Sequence, residues 1–432
     1  MASVIRFPIR PSSAPRVRSN RAPKPRIALS LAGGGPLGAI YEIGALCALQ
    51  EVLEGIDFTK LDHYIGVSAG SFIAASLANG MSPQELCASF IDNDSTNTDA
   101  QEHSDRFDPA WLMRPAFGEF ARRLIMLPGL LTLAVWRASV QRKSFVSALE
   151  LLGPALPTGI FSSAEVNQRM AMIFSQPGRS NDFRALQKMR GTRLTLVATN
   201  LDSGESAPFG APGFDHVPIS QAVQASSALP GLFPPVEIDN HYFVDGALKK
   251  TLHASVALQE GMDLVICLNP LVPFDALHAR PTVMQRGLPK ERQSIPRIVD
   301  GGLPGVLSQT FRSMIHSRLE MGMKAYERDF PETDIVLIEP DQRDPEMYLA
   351  NTFSYSQRRS LAEHAYQQTR HLLRARRSSL TAKFEKHGIT LNEGVLTDPK
   401  RQLVLPAPKA SKIGKAVKRL EETLEDLERR YA

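Results

Sequence analysis

The sequence predicts a three-layer α/β/α fold, in which helices cover both faces of a mostly parallel central sheet. Short, continuously apolar runs recur along the chain, and such runs are typical of strands buried on both faces. Helical stretches lie between most of these runs, and this alternation favours parallel pairing. A turn containing glycine follows each of the first two runs, at the carboxyl end of the strand, where open α/β sheets place their sites.

The predicted strands follow one another with a regular order of elements. The first covers residues 27–32 and is followed by a glycine turn over 33–38 and a helix over 39–53. Residues 64–67 and 68–78 repeat the order of strand and helix. Four later apolar runs predict further strands, at residues 194–198, 242–244, 264–268 and 335–338.

The net charge of the chain comes from its first residues. The 432 residues include 50 Lys and Arg against 45 Asp and Glu, a formal charge of +5, and 43% of them are hydrophobic, which excludes wholesale disorder. Residues 1–26 hold seven basic residues, five prolines and no acid, so we expect a disordered basic arm there. The remainder is slightly acidic, whereas a nucleic-acid-binding protein carries its basic excess on the folded body. Composition therefore disfavours a nucleic acid partner.

The cysteines and the apolar segments indicate the compartment. The three cysteines are far apart in the sequence, so they form neither a disulfide framework nor metal-ligand pairs, and they suit a reducing environment. The most apolar uncharged run, residues 124–136, is too short for a membrane span of about 20 residues. The first residues contain no apolar segment of signal-peptide length. We therefore expect a cytoplasmic protein without a signal peptide or a transmembrane helix.

Two parts of the chain add to the alternating pattern. Residues 98–160 predict a helical insertion or lid, and their segment 108–147 contains both tryptophans of the protein between clusters of basic residues. That segment predicts either an interfacial helix or a buried helical hairpin that caps the sheet. Residues 271–432 predict a mostly helical extension with one or more added strands, ending in an amphipathic stripe over 413–431.

A candidate nucleophile follows the second predicted strand. Ser68 lies between Gly66 and Gly70 in a G-x-S-x-G sequence at a strand-to-helix junction. Flanking glycines permit the tight turn that projects the hydroxyl from the backbone, and the N-terminus of the next helix favours negative charge nearby. The pentapeptide alone is common by chance, and its position after an apolar strand and before an apolar helix makes it a much stronger signal.

The glycine turn at residues 33–38 permits two interpretations. The amides of Gly33, Gly34 and Gly35 suit an oxyanion hole for acyl transfer. Together with Gly38, the same residues fit the G-x-G-x-x-G pattern of a dinucleotide-binding loop, which needs an acid at the end of the next strand. Asp62 lies at the start of that strand, so the hydrolase interpretation is favoured, with a dinucleotide oxidoreductase as the alternative.

A candidate base follows a later strand. Asp245 ends the apolar run 242–244 and precedes Gly246 and Ala247, so we expect its carboxylate on the same sheet edge as Ser68. The alternatives are an aspartate that only shapes a turn and a triad completed by His253. We expect His253 about two turns into the following helix, pointing away from the edge, so a direct Ser–Asp dyad fits better. Burial or a fixed hydrogen bond must then strengthen a carboxylate whose ordinary pKa is about 4.

These motifs together resemble the patatin-like phospholipase family, whose members are lipid acyl hydrolases with a Ser–Asp dyad. The resemblance covers roughly residues 27–270, which we expect to form a patatin-like catalytic domain. The matching stretches are 29–46 (LSLAGGGPLGAIYEIGAL), 64–75 (YIGVSAGSFIAA), 197–205 (VATNLDSGE) and 222–248 (AVQASSALPGLFPPVEIDNHYFVDGAL).

The resemblance implies a role for each motif residue. Ser68 is the implied nucleophile, Asp245 the implied proton acceptor, and the Gly33–Gly35 amides the implied oxyanion donors. The implied substrate is a phospholipid, a lysophospholipid or another fatty acyl ester at a membrane surface, and neither a metal nor a cofactor is implied. The supporting motif positions are Gly38, Gly66, Gly70, Gly246 and Ala247.

Two positions depart from the pattern of the family. Leu37 stands where many members carry Arg or Lys before the last glycine of the loop, and Ala247 replaces a second glycine after the aspartate. The missing cation leaves the headgroup preference open. A second function class, a catalytically silent scaffold on a membrane surface, is motivated by the basic arm and the amphipathic terminal segment.

Overall fold

The computed structural model describes residues 24–91, 114–139, 151–279, 295, 297–349 and 355–403. The predicted terminal segment 413–431 and nearly all of the basic arm lie outside these ranges. The strands of the described residues are β1 Ile27–Leu31, β2 Leu53–Glu54, β3 His63–Val67, β4 Arg193–Asn200, β5 Ser206–Phe209, β6 Val236–Ile238, β7 His241–Asp245, β8 Leu264–Leu268, β9 Asp334–Ile338 and β10 Thr390–Leu391. Each run predicted as a strand forms one, while β2, β5, β6 and β10 were not predicted.

The helices of the described residues include every one predicted for that part of the chain. They are α1 Gly35–Val52, α2 Ala69–Ala78, α3 Pro83–Phe90, α4 Phe117–Ser139, α5 Ala164–Phe174, α6 Phe183–Arg190, α7 Ile219–Ser226, α8 Ala254–Gln259, α9 Gly302–Asp329, α10 Pro345–Leu349, α11 Tyr355–Ala375, α12 Arg377–Glu385 and α13 Glu393–Thr397. Among the described helices, we find none with the length and hydrophobicity that a bilayer crossing requires.

The main sheet is mixed, with a parallel centre. Its strand order is β6-β7-β4-β3-β1-β8-β9, and β5 pairs with β4 beside this path. The strands β4, β3, β1, β8 and β9 are parallel, whereas β5, β6 and β7 pair antiparallel with their neighbours. The mostly parallel sheet of the prediction is therefore confirmed, with an antiparallel edge added.

Strand β7 reaches the site from a direction that the sequence did not predict. Val197 in β4 pairs with both Val67 of β3 and Pro208 of β5, and Ala198 pairs with both Asp245 of β7 and Ala207 of β5. Because β5 occupies one side of β4, both β3 and β7 lie on the other side. The carboxyl ends of these two strands therefore meet head-on, which brings Asp245 to the level of Ser68.

Helices cover both faces of the sheet. Leu29 and Leu31 of β1 belong to the larger apolar cluster, which includes buried residues of α1, α2 and α11. Ala28, between them, belongs to a second cluster with buried residues of α8 and α9. This alternation of facing residues is the period of two expected of a strand, and it confirms the three-layer arrangement.

Candidate active site

The sequence places Ser68 in a strained turn between β3 and α2. Ser68 has φ 51° and ψ −123°, a conformation that L-residues adopt at a cost of about 1–3 kcal/mol. It is the N-cap residue of α2, and its side chain makes no capping hydrogen bond to that helix. The turn therefore presents Oγ at the carboxyl end of β3, where the sequence predicted it.

The flanking glycines serve close packing rather than a left-handed backbone. A Cβ on Gly66 would lie 2.6 Å from the Gly70 carbonyl oxygen, and one on Gly70 would lie 2.5 Å from the Ala32 carbonyl oxygen. Neither glycine has a positive φ, and the unusual backbone belongs to Ser68 itself. The G-x-S-x-G spacing thus lets β1, β3 and α2 approach one another around the turn.

Asp245 lies within hydrogen-bond distance of the serine. Ser68 Oγ donates to Asp245 Oδ2 over 2.6 Å, and the backbone N–H of Ala247 donates to Oδ1 over 2.8 Å. Gly246 has no room for a side chain, since its Cβ would lie 2.2 Å from the Val197 carbonyl oxygen. The Asp-Gly-Ala sequence therefore folds back tightly and fixes both carboxylate oxygens.

Burial changes the acidity of this carboxyl group. Asp245 is only 2% exposed, and burial raises its pKa to about 6, although the hydrogen bonds from Ser68 and Ala247 act in the opposite direction. A carboxylate with this pKa is a stronger base than an exposed aspartate, yet it is still ionised at neutral pH. A dyad without histidine requires such a strengthening of its base.

Three further serines hold the backbone of Ser68, and the sequence analysis gave them no role. Ser226 Oγ accepts the Ser68 N–H over 2.9 Å and donates to the Val197 carbonyl over 2.6 Å. Ser71 Oγ donates to the Ser68 carbonyl over 2.5 Å, and Ser227 Oγ donates to the same carbonyl over 3.2 Å. We call Ser71, Ser226 and Ser227 the serine cradle. Ser226 and Ser227 lie in the 222–248 stretch that carries the family resemblance, and this was the sequence signal that could have indicated their role.

The glycine turn lies directly beside the serine. A Cβ on Gly33 would lie 3.0 Å from the Cβ of Ser68 and 3.0 Å from that of Ala247. Within the part of the chain that the structure describes, the N–H groups of Gly33, Gly34 and Gly35 donate to no protein acceptor. Three consecutive amides without a protein acceptor, in a turn that contacts the serine, are candidates for binding an oxyanion.

The helix after this turn begins earlier than predicted. It starts at Gly35, inside the glycine motif, rather than at residue 39, because Pro36 is well suited to a first helical turn. Gly35 has φ +59° and open space around it, so a glycine is favoured there by the left-handed backbone and not by lack of room. Gly38 is instead needed for space, since its Cβ would lie 2.9 Å from Pro270.

The two alternative site residues lie elsewhere. His253 is the N-cap residue of α8 rather than two turns inside it, which corrects the predicted position. It is buried, and burial together with Lys250 lowers its pKa to about 3. Asp62 accepts the backbone N–H of Ile27 over 2.8 Å at the amino end of the strands, away from the glycine turn. A dinucleotide-binding loop would need that acid at the opposite end.

Comparison with known proteins identifies the sequence pattern. The family model described as "Patatin-like phospholipase" matches residues 29–258, more than half of the chain. A probable lipid hydrolase of Invertebrate iridescent virus 6 is 22% identical over 226 residues. That match takes in 52% of this chain and 61% of the viral protein, so the chain spans about three fifths of the length of this relative.

Solved structures with some likeness to the chain come from bacteria and from humans. VipD from Legionella pneumophila has a TM-score of 0.37 at 19% identity, covering 82% of this chain and 67% of VipD. The type III effector ExoU of Pseudomonas aeruginosa has a TM-score of 0.32 at 16% identity, with coverages of 82% and 53%. Human GIVD cytosolic phospholipase A2 has a TM-score of 0.31 at 14% identity, with coverages of 84% and 60%.

Proposed function

Because the chain belongs to the patatin-like phospholipase family, we propose that it is a lipid acyl hydrolase of the phospholipase A or lysophospholipase type. In this proposal residues 27–270 form the catalytic domain and residues 271–432 a mostly helical extension. The observation that carries the proposal is the 2.6 Å hydrogen bond from Ser68 Oγ to Asp245 Oδ2, beside the free amides of the glycine turn.

Acylation uses the existing hydrogen bond as the path for the proton. Ser68 Oγ attacks the ester carbonyl carbon while its proton passes to Asp245 Oδ2. The carbonyl oxygen becomes an oxyanion, which the amides of Gly33, Gly34 and Gly35 stabilise. The tetrahedral intermediate then collapses, and Asp245 returns the proton to the departing alcohol or lysophospholipid, which leaves an acyl group on Ser68.

Deacylation follows the same steps with water as the nucleophile. Asp245 removes a proton from a water molecule, whose oxygen attacks the acyl carbonyl. The second oxyanion is stabilised at the same amides. When the intermediate collapses, the fatty acid leaves and the proton on Asp245 passes to Ser68 Oγ, which regenerates the dyad.

The physical environment supports a carboxylate as the only base. Burial of Asp245 raises its pKa to about 6. The pKa difference between this carboxyl group and the serine hydroxyl is therefore smaller than for an exposed aspartate. The Ala247 N–H fixes the other carboxylate oxygen over 2.8 Å, so the base keeps its orientation. The serine cradle also holds the strained backbone of Ser68, with one hydrogen bond to its N–H and two to its carbonyl.

A cytoplasmic site of action, at a lipid surface, completes the proposal. The three cysteines Cys47, Cys87 and Cys267 are free and buried, which supports a reducing compartment. A silent scaffold of the same fold remains the second candidate, because much of α4 is exposed and apolar, as a surface-binding helix is.

Hydrolysis of a p-nitrophenyl fatty ester by wild type and Ser68→Ala tests the proposal. We expect wild-type turnover, and a loss of at least about 10³-fold in Ser68→Ala with an unchanged far-UV circular dichroism spectrum. Asp245→Asn is the matched second variant, because it keeps the shape of the side chain and removes the base. Undiminished turnover by Ser68→Ala would refute the assignment, and inactive wild-type protein on a panel of lipid esters would favour the scaffold.

A further inference from the structure

Exposed large apolar side chains are concentrated in three segments of the described residues. These are α4, the pair of loops 156–160 and 229–232, and residues 299–314 at the start of α9. Their exposed members include Leu124, Ile125, Leu156, Leu232, Leu303 and Phe311. A soluble monomer rarely exposes contiguous apolar patches larger than a few hundred Å², and larger ones mark interaction sites.

One of these segments is fixed beside both halves of the candidate site. Gln309 and Phe274 exchange two hydrogen bonds of 2.8 and 3.1 Å, and Arg312 donates to the Val272 carbonyl over 3.3 Å. Both partners follow β8, close to Pro270, which contacts the glycine turn. Farther along α9, Arg318 donates to the Leu248 carbonyl over 3.2 Å, three residues after Asp245.

The other two segments are fixed to the opposite side of the same edge. The N–H of Asp245 donates to the Ala228 carbonyl over 2.9 Å, so residues 229–232 start next to the dyad. Ile160 and Phe161 both donate to the Leu232 carbonyl, over 3.0 and 2.8 Å. The N-terminal part of α4 contacts residues 154–158, next to the first of these loops.

Two contacts attach α4 to the loop pair. Thr158 donates to Glu119 over 3.0 Å, and Arg123 donates to the Pro154 carbonyl over 2.9 Å. Beyond this first turn, the side chains of α4 are mostly exposed as far as Trp136. This exposure favours the interfacial helix over the buried hairpin for residues 117–136. Hydrogen bonds thus connect all three segments, directly or through one another, to loops beside Ser68 and Asp245.

The apolar stretches of this edge are neutral, and the acids beside them, Glu119 and Asp300, pair with Arg123 and Arg297. Residues 124–136 and 301–311 contain no ionisable side chain. At their margins, Arg122, Lys250 and Arg318 have no carboxylate partner within the described ranges, and Lys250 lies 4.9 Å from the centre of the Tyr326 ring. Apolar side chains bordered by unpaired cations complement the hydrocarbon and phosphate layers of an anionic lipid surface.

We infer that α4, the loops 156–160 and 229–232, and residues 299–314 form a single docking rim that seats the catalytic edge on an anionic phospholipid surface. The inference rests on the proposed lipid hydrolase function, because it assigns the means by which an aggregated substrate reaches Ser68. A second copy of the chain on this rim would cover the site edge, whereas a lipid surface there supplies the acyl ester to it.

Vesicle binding in a Ser68→Ala background tests the docking rim without interference from hydrolysis. The vesicles contain phosphatidylcholine with or without phosphatidylserine. The test variants are Ile125→Glu, Leu303→Glu and both together, each placing a charge at a very exposed position so that the fold is not perturbed. The control is Met189→Glu in α6, an apolar site that is also exposed and that precedes β4 at the opposite edge of the sheet.

We expect the double variant to lose at least about tenfold in vesicle affinity and the control to lose none, since charges enter the hydrocarbon layer poorly. Binding should also weaken without phosphatidylserine and at high salt. Equal loss in the control, or unchanged binding in the double variant, would overturn the inference. So would a dimer, seen by sedimentation velocity, that the double variant dissociates.

Soluble p-nitrophenyl butyrate separates this inference from the proposed function. With Ser68 intact, the double variant should hydrolyse this ester at the wild-type rate while losing vesicular substrate. Hydrolysis of the soluble ester without any wild-type binding to vesicles would overturn the docking rim alone. Absence of hydrolysis with intact vesicle binding would instead overturn the proposed function.

Discussion

At the scale of single residues, Asp245 carries its charge in surroundings that disfavour it. Its side chain is almost fully buried and receives only two hydrogen bonds, one of them from the nucleophile. The pKa is therefore raised to about 6, with burial as the main cause. This single property has consequences for both rate and stability.

The first consequence is an acidic limit to activity. Asp245 accepts a proton only when it is ionised, so kcat/KM should fall about tenfold for each pH unit below about 6. A pH–rate profile on a soluble ester measures this limit directly. A plateau that extends down to pH about 4 would mean that the base has the acidity of an ordinary exposed carboxylate.

The second consequence is a gain in stability when the charge is removed. Because the folded-state pKa is raised, protonated Asp245 stabilises the fold fully below pH about 4, and this stabilisation is lost as the pH rises through about 6. Asp245→Asn should therefore be inactive yet more stable than wild type at pH 7.5, by up to about 3 kcal/mol. Urea unfolding at pH 7.5 and pH 4.5 checks the sign, since the difference should shrink at the lower pH.

The serine cradle predicts a loss of rate without a change in the base. Ser226→Ala removes the acceptor of the Ser68 N–H and leaves a buried amide unpaired, which costs about 1–3 kcal/mol. We expect kcat to fall about 10–100-fold while the acidic limit near pH 6 stays in place. Ser89→Ala, at a half-buried position of α3, is the control and should change neither value. A Ser226→Ala enzyme with wild-type kcat would show that the strained turn needs no such support.

At the scale of elements, the long helix α11 fixes the position of α1, whose first turn forms part of the glycine loop. A Cβ on Gly44 of α1 would lie 2.5 Å from the Ala362 carbonyl oxygen of α11, so the two helices pack backbone to backbone. Tyr366 adds a hydrogen bond of 2.7 Å to Glu51 along the same contact. The helical extension thus contributes to the placement of the site.

Gly44→Ala should separate these two helices. We expect a loss of about 1–3 kcal/mol, because overpacking against a rigid backbone cannot relax through a side chain. Gly322→Ala in α9 is the control, since no atom lies within 4 Å of its added Cβ and alanine favours a helix by about 1 kcal/mol. Thermal unfolding of both variants measures the difference, and equal stability of the two would contradict the close contact.

The sequence predicted where the main strands lie, but not how all of them are arranged in the sheet. Apolar periodicity predicted the six main strands, and the motifs placed Ser68 and Asp245 on one edge. Periodicity does not encode strand direction, so β7 was not recognised as an antiparallel strand that meets β3 end to end. The serine cradle was not predicted for a similar reason. Ser226 and Ser68 are 158 residues apart in the sequence, and only the fold brings them together.

At the scale of the whole molecule, the sheet brings the ends of β3 and β7 together, and the described parts of α4 and α9 carry exposed apolar side chains. Sequence alone left the 108–147 segment as either an interfacial helix or a buried hairpin, because both require the same hydrophobicity. The exposure of its described side chains, with its first turn attached to residues 154–158, favours the interfacial helix. The sheet edge where β3 and β7 meet holds Ser68, Asp245 and the free amides of Gly33–Gly35.

Covalent labelling by a fluorophosphonate tests the central claim most directly, because the reagent reacts with an activated serine and leaves an adduct of known mass. Our account predicts one adduct per wild-type chain, mapped by peptide mass spectrometry to Ser68, and none in Ser68→Ala. Asp245→Asn should label far more slowly. An unlabelled wild-type protein, or an adduct that persists in Ser68→Ala, would contradict the assignment of Ser68 as the nucleophile.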